Sequence, residues 1–119
     1  MNVLLIGFKH SEIREIIKAR ETLNFYLVFQ EADYDWNMDF LNGFIDHANI
    51  IIAKASTIMT VDEATVICAI AKLRGKSCIA LVDQERTEET YARLSQFAVL
   101  LENIEQIRNS IVRINQSYL

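Results

Sequence analysis

Proline is absent from all 119 residues, where an average usage of about 5% would give about six. No turn or function of this chain can therefore depend on a cis-proline. Positive charge is also scarce: 12 Lys and Arg stand against 16 Asp and Glu, a net charge of -4, and no basic block gathers anywhere. Recognition of nucleic acid through its phosphates needs a basic face, so that class of partner is disfavoured. No run approaches the ~18–20 apolar residues of a membrane span, and no membrane partner is expected. The opening MNVLLIGF carries neither a basic leader nor a small-residue cleavage site, so it reads as a first strand and not as a signal peptide. A cytoplasmic location is the default expectation. Two cysteines, Cys68 and Cys78, lie inside apolar segments without metal-ligand spacing. They read as buried thiols, and no metal site and no cofactor is expected.

What is present is a 51% hydrophobic chain with no linker and no repeat, long enough to bury a core as one domain over residues 1–119. Val3–Phe8 is a continuous apolar run ending near a glycine, the pattern of a strand covered on both faces. Ser11 is positioned to cap a helix bearing Ile13, Ile16 and Ile17. Phe25–Phe29 reads as a second strand. Trp36, Phe40, Leu41, Phe44, Ile45 and Ala48 then form one wide helical stripe. Asn49–Ala55 is a third strand. Thr60-Val61-Asp62-Glu63 fits a capping box for a helix that Gly75 stops. Ser77–Val82 is a fourth strand, Thr87–Gln96 a charged helix, and Ala98–Leu101 a short fifth strand. Asn103 and Gln106 cap a last helix with a seam of Ile104, Ile107, Ile111 and Ile114. Strands alternating with helices imply a parallel sheet with right-handed crossovers. The expected fold is a three-layer, flavodoxin-like or Rossmann-like α/β sandwich of five parallel strands in the order 2-1-3-4-5.

Ligands of such sheets bind outside the carboxyl ends of the strands, where the strand order reverses. The residues expected at that mouth are Phe8, Lys9 and His10 after the first strand, and Ser56, Thr57 and Thr60 after the third. His10 has the chemistry to move a proton near neutral pH, although an exposed loop histidine is the plainer reading. The three hydroxyls could serve a phosphate or ribose at a helix N-terminus, yet Thr60 and Glu63 are already accounted for as a cap. Gly7-Phe8-Lys9-His10 matches neither a dinucleotide fingerprint nor a P-loop. Glu31, Asp33, Asp35 and Asp39 form an acidic stretch whose spacing fits no calcium loop. Asp83 and Glu102 end strands four and five on the same rim. His47 closes the second helix, whose negative end it suits. Tyr26, Tyr34 and Trp36 carry rings able to stack on a base.

Asn49–Val82 resembles the nucleoside 2-deoxyribosyltransferase family and its small deoxynucleotide N-hydrolase relatives. Ala48-Asn49 opens the apolar strand IIIAKAS, and Ala69, Ala71 and Gly75-Lys76 fall in the family's register before SCIALV. The resemblance implies a nucleoside or nucleotide ligand and an oligomer in which a neighbour completes the site. Trp36–Ala48 would be its surface. The family's nucleophilic glutamate falls on Ile67, which cannot attack an anomeric carbon. Its tyrosine falls on Phe8, its proline on Ser77, and its remaining acid has no match nearer than Asp39. Receiver domains share the length and layout, but Lys54-Ala55-Ser56 stands where they end strand three in an acid. Glu102-Asn103 stands where they carry a lysine. TIR-like domains also need a glutamate where Ile67 and Cys68 lie.

These residues leave three expectations. The first is a deoxyribosyltransferase-like domain that binds a nucleoside, nucleotide or related phosphorylated ligand without the family's catalysis. The second is a divergent N-glycosidase or transferase, with Glu63, Asp39 or His10 in substitute catalytic roles. The third is a protein-interaction module with a receiver-like fold, motivated by the charged fourth helix and the isoleucine seam of the fifth.

Overall fold

The computed structural model describes residues 2–18, 26–31, 38–55, 60–82 and 88–117. Side chains are described for 2–18, 41–55, 60–82, 91–114 and 116. Along the chain run β1 (Asn2–Phe8), α1 (His10–Ile17), β2 (Tyr26–Glu31), α2 (Met38–His47), β3 (Ile50–Lys54) and α3 (Val61–Leu73). These are followed by β4 (Ser77–Leu81), α4 (Glu88–Ser95), β5 (Val99–Leu101) and α5 (Ile104–Ser117). The architecture is α/β with a parallel sheet, compatible with a flavodoxin-like layout. The strands lie side by side as β2-β1-β3-β4-β5, and every neighbouring pair is parallel.

Period-two alternation sorts the central strands into two cores. Leu4, Ile6, Ile51, Ala53, Cys78 and Ala80 face α2, α3 and α4, meeting Leu41, Ile45, Ala64, Ile67, Ala71 and Leu94. Val3, Leu5, Ile50, Ile52, Ile79 and Leu81 face α1 and α5, meeting Ile13, Ile16, Ile107 and Ile111. The sheet is covered on both sides, which is why its strands read as unbroken apolar runs instead of alternating ones. The isoleucine seam of α5 belongs to the second core: Ile107 and Ile111 are fully buried, and Ile104 and Ile114 pack against them. It is therefore not a free interaction surface.

The helix ends show where local chemistry agrees with the sequence and where it does not. Thr60 caps α3, its Oγ1 accepting from Glu63 N at 3.2 Å, and Gly75 closes it at φ 75. Ser11 does not cap α1. The helix begins two residues earlier than a Ser11 cap implies, with extended Lys9 at the cap position, and Glu12 Oε1 reaches back to accept the Lys9 N–H at 3.0 Å. At α5, Asn103 Oδ1 accepts from Gln106 N at 2.9 Å. Gln106 in turn accepts from Glu102 N at 2.8 Å, one residue ahead of the cap.

Candidate functional site

β1 does not keep its alternation to the end. Strict parity would turn Phe8 to the α2/α3 side with Leu4 and Ile6. Instead Gly7 adopts φ 85, and the register against β2 slips between Ile6 and Phe8. The pair Ile6↔Gln30 is followed by Phe8↔Glu31, so one extra residue sits on the β1 side. This is a glycine bulge, and it carries the Phe8 ring to the α1/α5 core, where it is 0% exposed. Phe8, expected at the ligand mouth, is thus a core residue and presents no surface to a ligand.

Ile67 lies on the opposite side of the sheet, 3% exposed among Leu4, Ile6, Ala53 and Cys68. Phe8 and Ile67 therefore do not share a pocket. The position that would hold a nucleophilic glutamate is packing, and it is sealed.

Between them, at the carboxyl ends of β1 and β3, stands an ion pair. Lys54 continues the row Ile50–Ile52 by parity and so faces α1. Its Nζ lies 2.5 Å from Glu12 Oε2, with side chains only 22% and 17% exposed. The Glu12 carboxylate is spoken for on both oxygens, one by the Lys9 backbone N–H and one by the Lys54 ammonium. An aliphatic stem with a charged head suits this place, because the stem extends the core while the head meets the carboxylate at its rim. The pair joins α1 to the end of β3 across the point where the strand order reverses. Each partner has a local signal, a lysine at the parity of a buried row and a glutamate three residues after the cap position, but neither signal names the other.

The other residues expected at the mouth are divided. Lys9 and His10 are exposed at the start of α1. Thr60 is exposed at the start of α3, where its hydroxyl donates to Glu63 Oε1 at 3.1 Å. Glu63 is committed to that cap, and Asp62 adds a second acid to the first turn. The positive end of α3 is thereby already answered by the chain's own carboxylates. Ser56 and Thr57 lie outside the described residues, as do Asp33, Tyr34, Asp35, Trp36 and Asp83. Asp39 is placed in α2, and Tyr26 and Glu31 in β2, by backbone alone. His47 is exposed in the last turn of α2, its carbonyl accepting from Asn2 Nδ2 at 2.9 Å. Among the described residues no group of three or more His, Cys, Asp or Glu is arranged to hold a metal. No helix among them is long and apolar enough to cross a membrane.

A cleft of about 490 Å³ opens elsewhere, beside the carboxyl ends of β4 and β5, lined by Val82, Tyr91, Leu100 and Glu102. The Tyr91 hydroxyl is buried without a hydrogen-bond partner. The two cysteines are reduced and buried, with Cys78 Sγ 3.5 Å from the Cys68 carbonyl. The hydrogen bond shared with Cys78, and then burial, hold the Cys68 thiol well above its ordinary value. Both are structural thiols of the α3–β4 contact.

No family profile and no curated protein matches the sequence. Among solved structures, the fold is similar to that of a Burkholderia pseudomallei protein described as pilus assembly-related. The TM-score is 0.65 at 11% identity, covering 95% of this chain and 87% of that one. At such identity the likeness speaks for the fold, which it supports over nearly the whole chain.

Proposed function

We propose that this chain is a non-catalytic, receiver-like α/β domain that works as a protein-interaction module. The observation that carries the reading is the Lys54–Glu12 pair. Where a receiver domain ends its third strand in a phosphoaccepting acid, this chain ends β3 in a lysine. A lysine ammonium cannot form an acyl phosphate, and here it is held by a carboxylate from α1. The sealed Ile67 argues in the same direction against glycosyl transfer. The fold shared with a protein described as pilus assembly-related fits a role exercised by contact, and we extend that kind of role to this chain as part of the proposal. The test is incubation with acetyl phosphate followed by intact mass measurement, alongside a panel of nucleosides and nucleotides assayed for release of free base. Neither phosphoryl uptake nor base release is expected. Turnover that disappears in Glu63→Gln would replace this reading with the divergent enzyme.

A second reading keeps the nucleoside or nucleotide as a ligand bound without turnover. It is favoured by Lys9 and His10, exposed together just beyond β1. Calorimetry with the same panel separates the two: binding that weakens in Lys9→Glu would establish a ligand at the mouth, and no heat would leave the contact module.

A further inference from the structure

While they stay reduced, the two thiols of the α3–β4 contact are packing. Their placement gives them a second capacity. β3 and β4 are parallel, so the helix between them runs back along the sheet. Its last turns therefore lie beside the first residues of β4. A complete glycine stop fixes that junction. The Gly75 N–H donates to the Lys72 carbonyl and the Lys76 N–H to the Ala71 carbonyl, both at 3.0 Å. β4 begins directly afterwards, and Cys78, its second residue, turns into the same core as Cys68.

The two side chains are in direct contact. Cys78 Sγ lies 3.5 Å from the Cys68 carbonyl, and the two thiols share a hydrogen bond. A disulfide has narrow geometric limits, and it forms where two sulfurs already meet across elements held in place. The sulfurs also differ in kind. Cys68 is 0% exposed, whereas Cys78 is 7% exposed and follows the exposed Ser77. A small oxidant therefore reaches Cys78 first. The hydrogen bond from Cys68, and beyond it the Lys72 ammonium, hold the Cys78 thiol below its ordinary value against the opposing effect of burial. The sulfur nearer to solvent thus carries the thiolate character that attack requires. The deeper one keeps its proton and stands ready to resolve the product.

We propose that Cys68 and Cys78 form a reversible disulfide in the presence of a peroxide, a redox-sensitive clasp between α3 and β4. The Cys78 sulfur attacks one peroxide oxygen and the O–O bond breaks. The departing hydroxide takes the thiol proton and leaves as water, and Cys78 becomes a sulfenic acid. The Cys68 sulfur then attacks the Cys78 sulfur, the S–O bond breaks, and hydroxide leaves with the Cys68 proton as a second water. Two thiols lose two electrons and two protons, and one hydrogen peroxide becomes two waters. A dithiol reductant reverses the bond by exchange. The clasp closes ten positions of sequence around the glycine stop. It belongs to the fold and does not depend on what the domain contacts.

The full chain has no other cysteine, so the possible products are few. Folded protein is exposed to hydrogen peroxide, its remaining thiols are alkylated with iodoacetamide in denaturant, and the chain is cut with trypsin. Circular dichroism before and after exposure keeps the reading to folded protein. Lys72, Arg74 and Lys76 lie between the two cysteines, so trypsin severs the intervening chain. The two cysteine peptides stay together only where a disulfide joins them. Mass spectrometry should find that joined pair, lighter than its two peptides by two hydrogen atoms, in protein whose intact mass is that of one copy. Dithiothreitol should separate the pair and return two alkylatable thiols. Two alkylated cysteines after peroxide exposure would overturn the proposal. So would a sulfinic acid at Cys78 beside a free Cys68, or a disulfide formed only between two copies of the chain.

Discussion

A side chain at position 7 would have to be carried at φ 85, in the left-handed region that costs an ordinary residue about 1–2 kcal/mol. Gly7→Ala should therefore lower stability by about that amount, read as a lower urea midpoint with an unchanged slope. A variant as stable as the parent would show that the bulge does not depend on the glycine. The same residue decides which core receives Phe8, because one extra residue in β1 reverses the faces of the strand from there onward. The glycine before it was the available sign, since a glycine inside a strand often marks a bulge. Ile67, expected only as the occupant of the nucleophile position, is buried because helical spacing puts it on the core side of α3, between Ala64 and Ala71.

At the scale of elements, Lys54 and Glu12 fasten α1 to the end of β3, across 42 positions of sequence. Removing one partner leaves a largely buried charge without its counter-charge, while removing both removes the mismatch. Lys54→Met and Glu12→Gln should each destabilise by about 1–3 kcal/mol, with Glu12→Gln also weakening the hold on the Lys9 N–H. The double variant should lose less than the sum, with a coupling of about 0.5–3 kcal/mol from denaturation measured as a double-mutant cycle. Additivity would mean the two groups act separately. Capping was readable locally where both members of the pair stand within one turn, as in Thr60 with Glu63. The Lys54–Glu12 contact was not, because nothing in either neighbourhood names the other.

Across the whole molecule, burial is graded from the middle of the sheet outward. The described interiors of β1, β3 and β4 are buried on both faces, whereas β5 is three residues long with Val99 61% exposed. Amide exchange should follow that gradient. The slowest amides should be those of Leu4, Leu5, Ile51, Ile52 and Ile79, and those of β5 should exchange well before them. Uniform protection across all the strands would show that the sheet opens only as one unit. Alternating apolar runs and helical stripes made the α/β character and its helix-covered parallel sheet readable. The path of the chain around the mouth depended on one bulge and one distant ion pair.

β1 also separates the order in which the chain is made from the order in which it can be completed. It lies between β2 and β3, with Val3 opposite both Leu27 and Ile50. On a ribosome it emerges well before Ile50 does, leaving an apolar strand with an uncovered edge in the interval. Such an edge is a template for any passing strand. The burden of keeping this domain unaggregated therefore falls on synthesis, in the time between its first strand and its third.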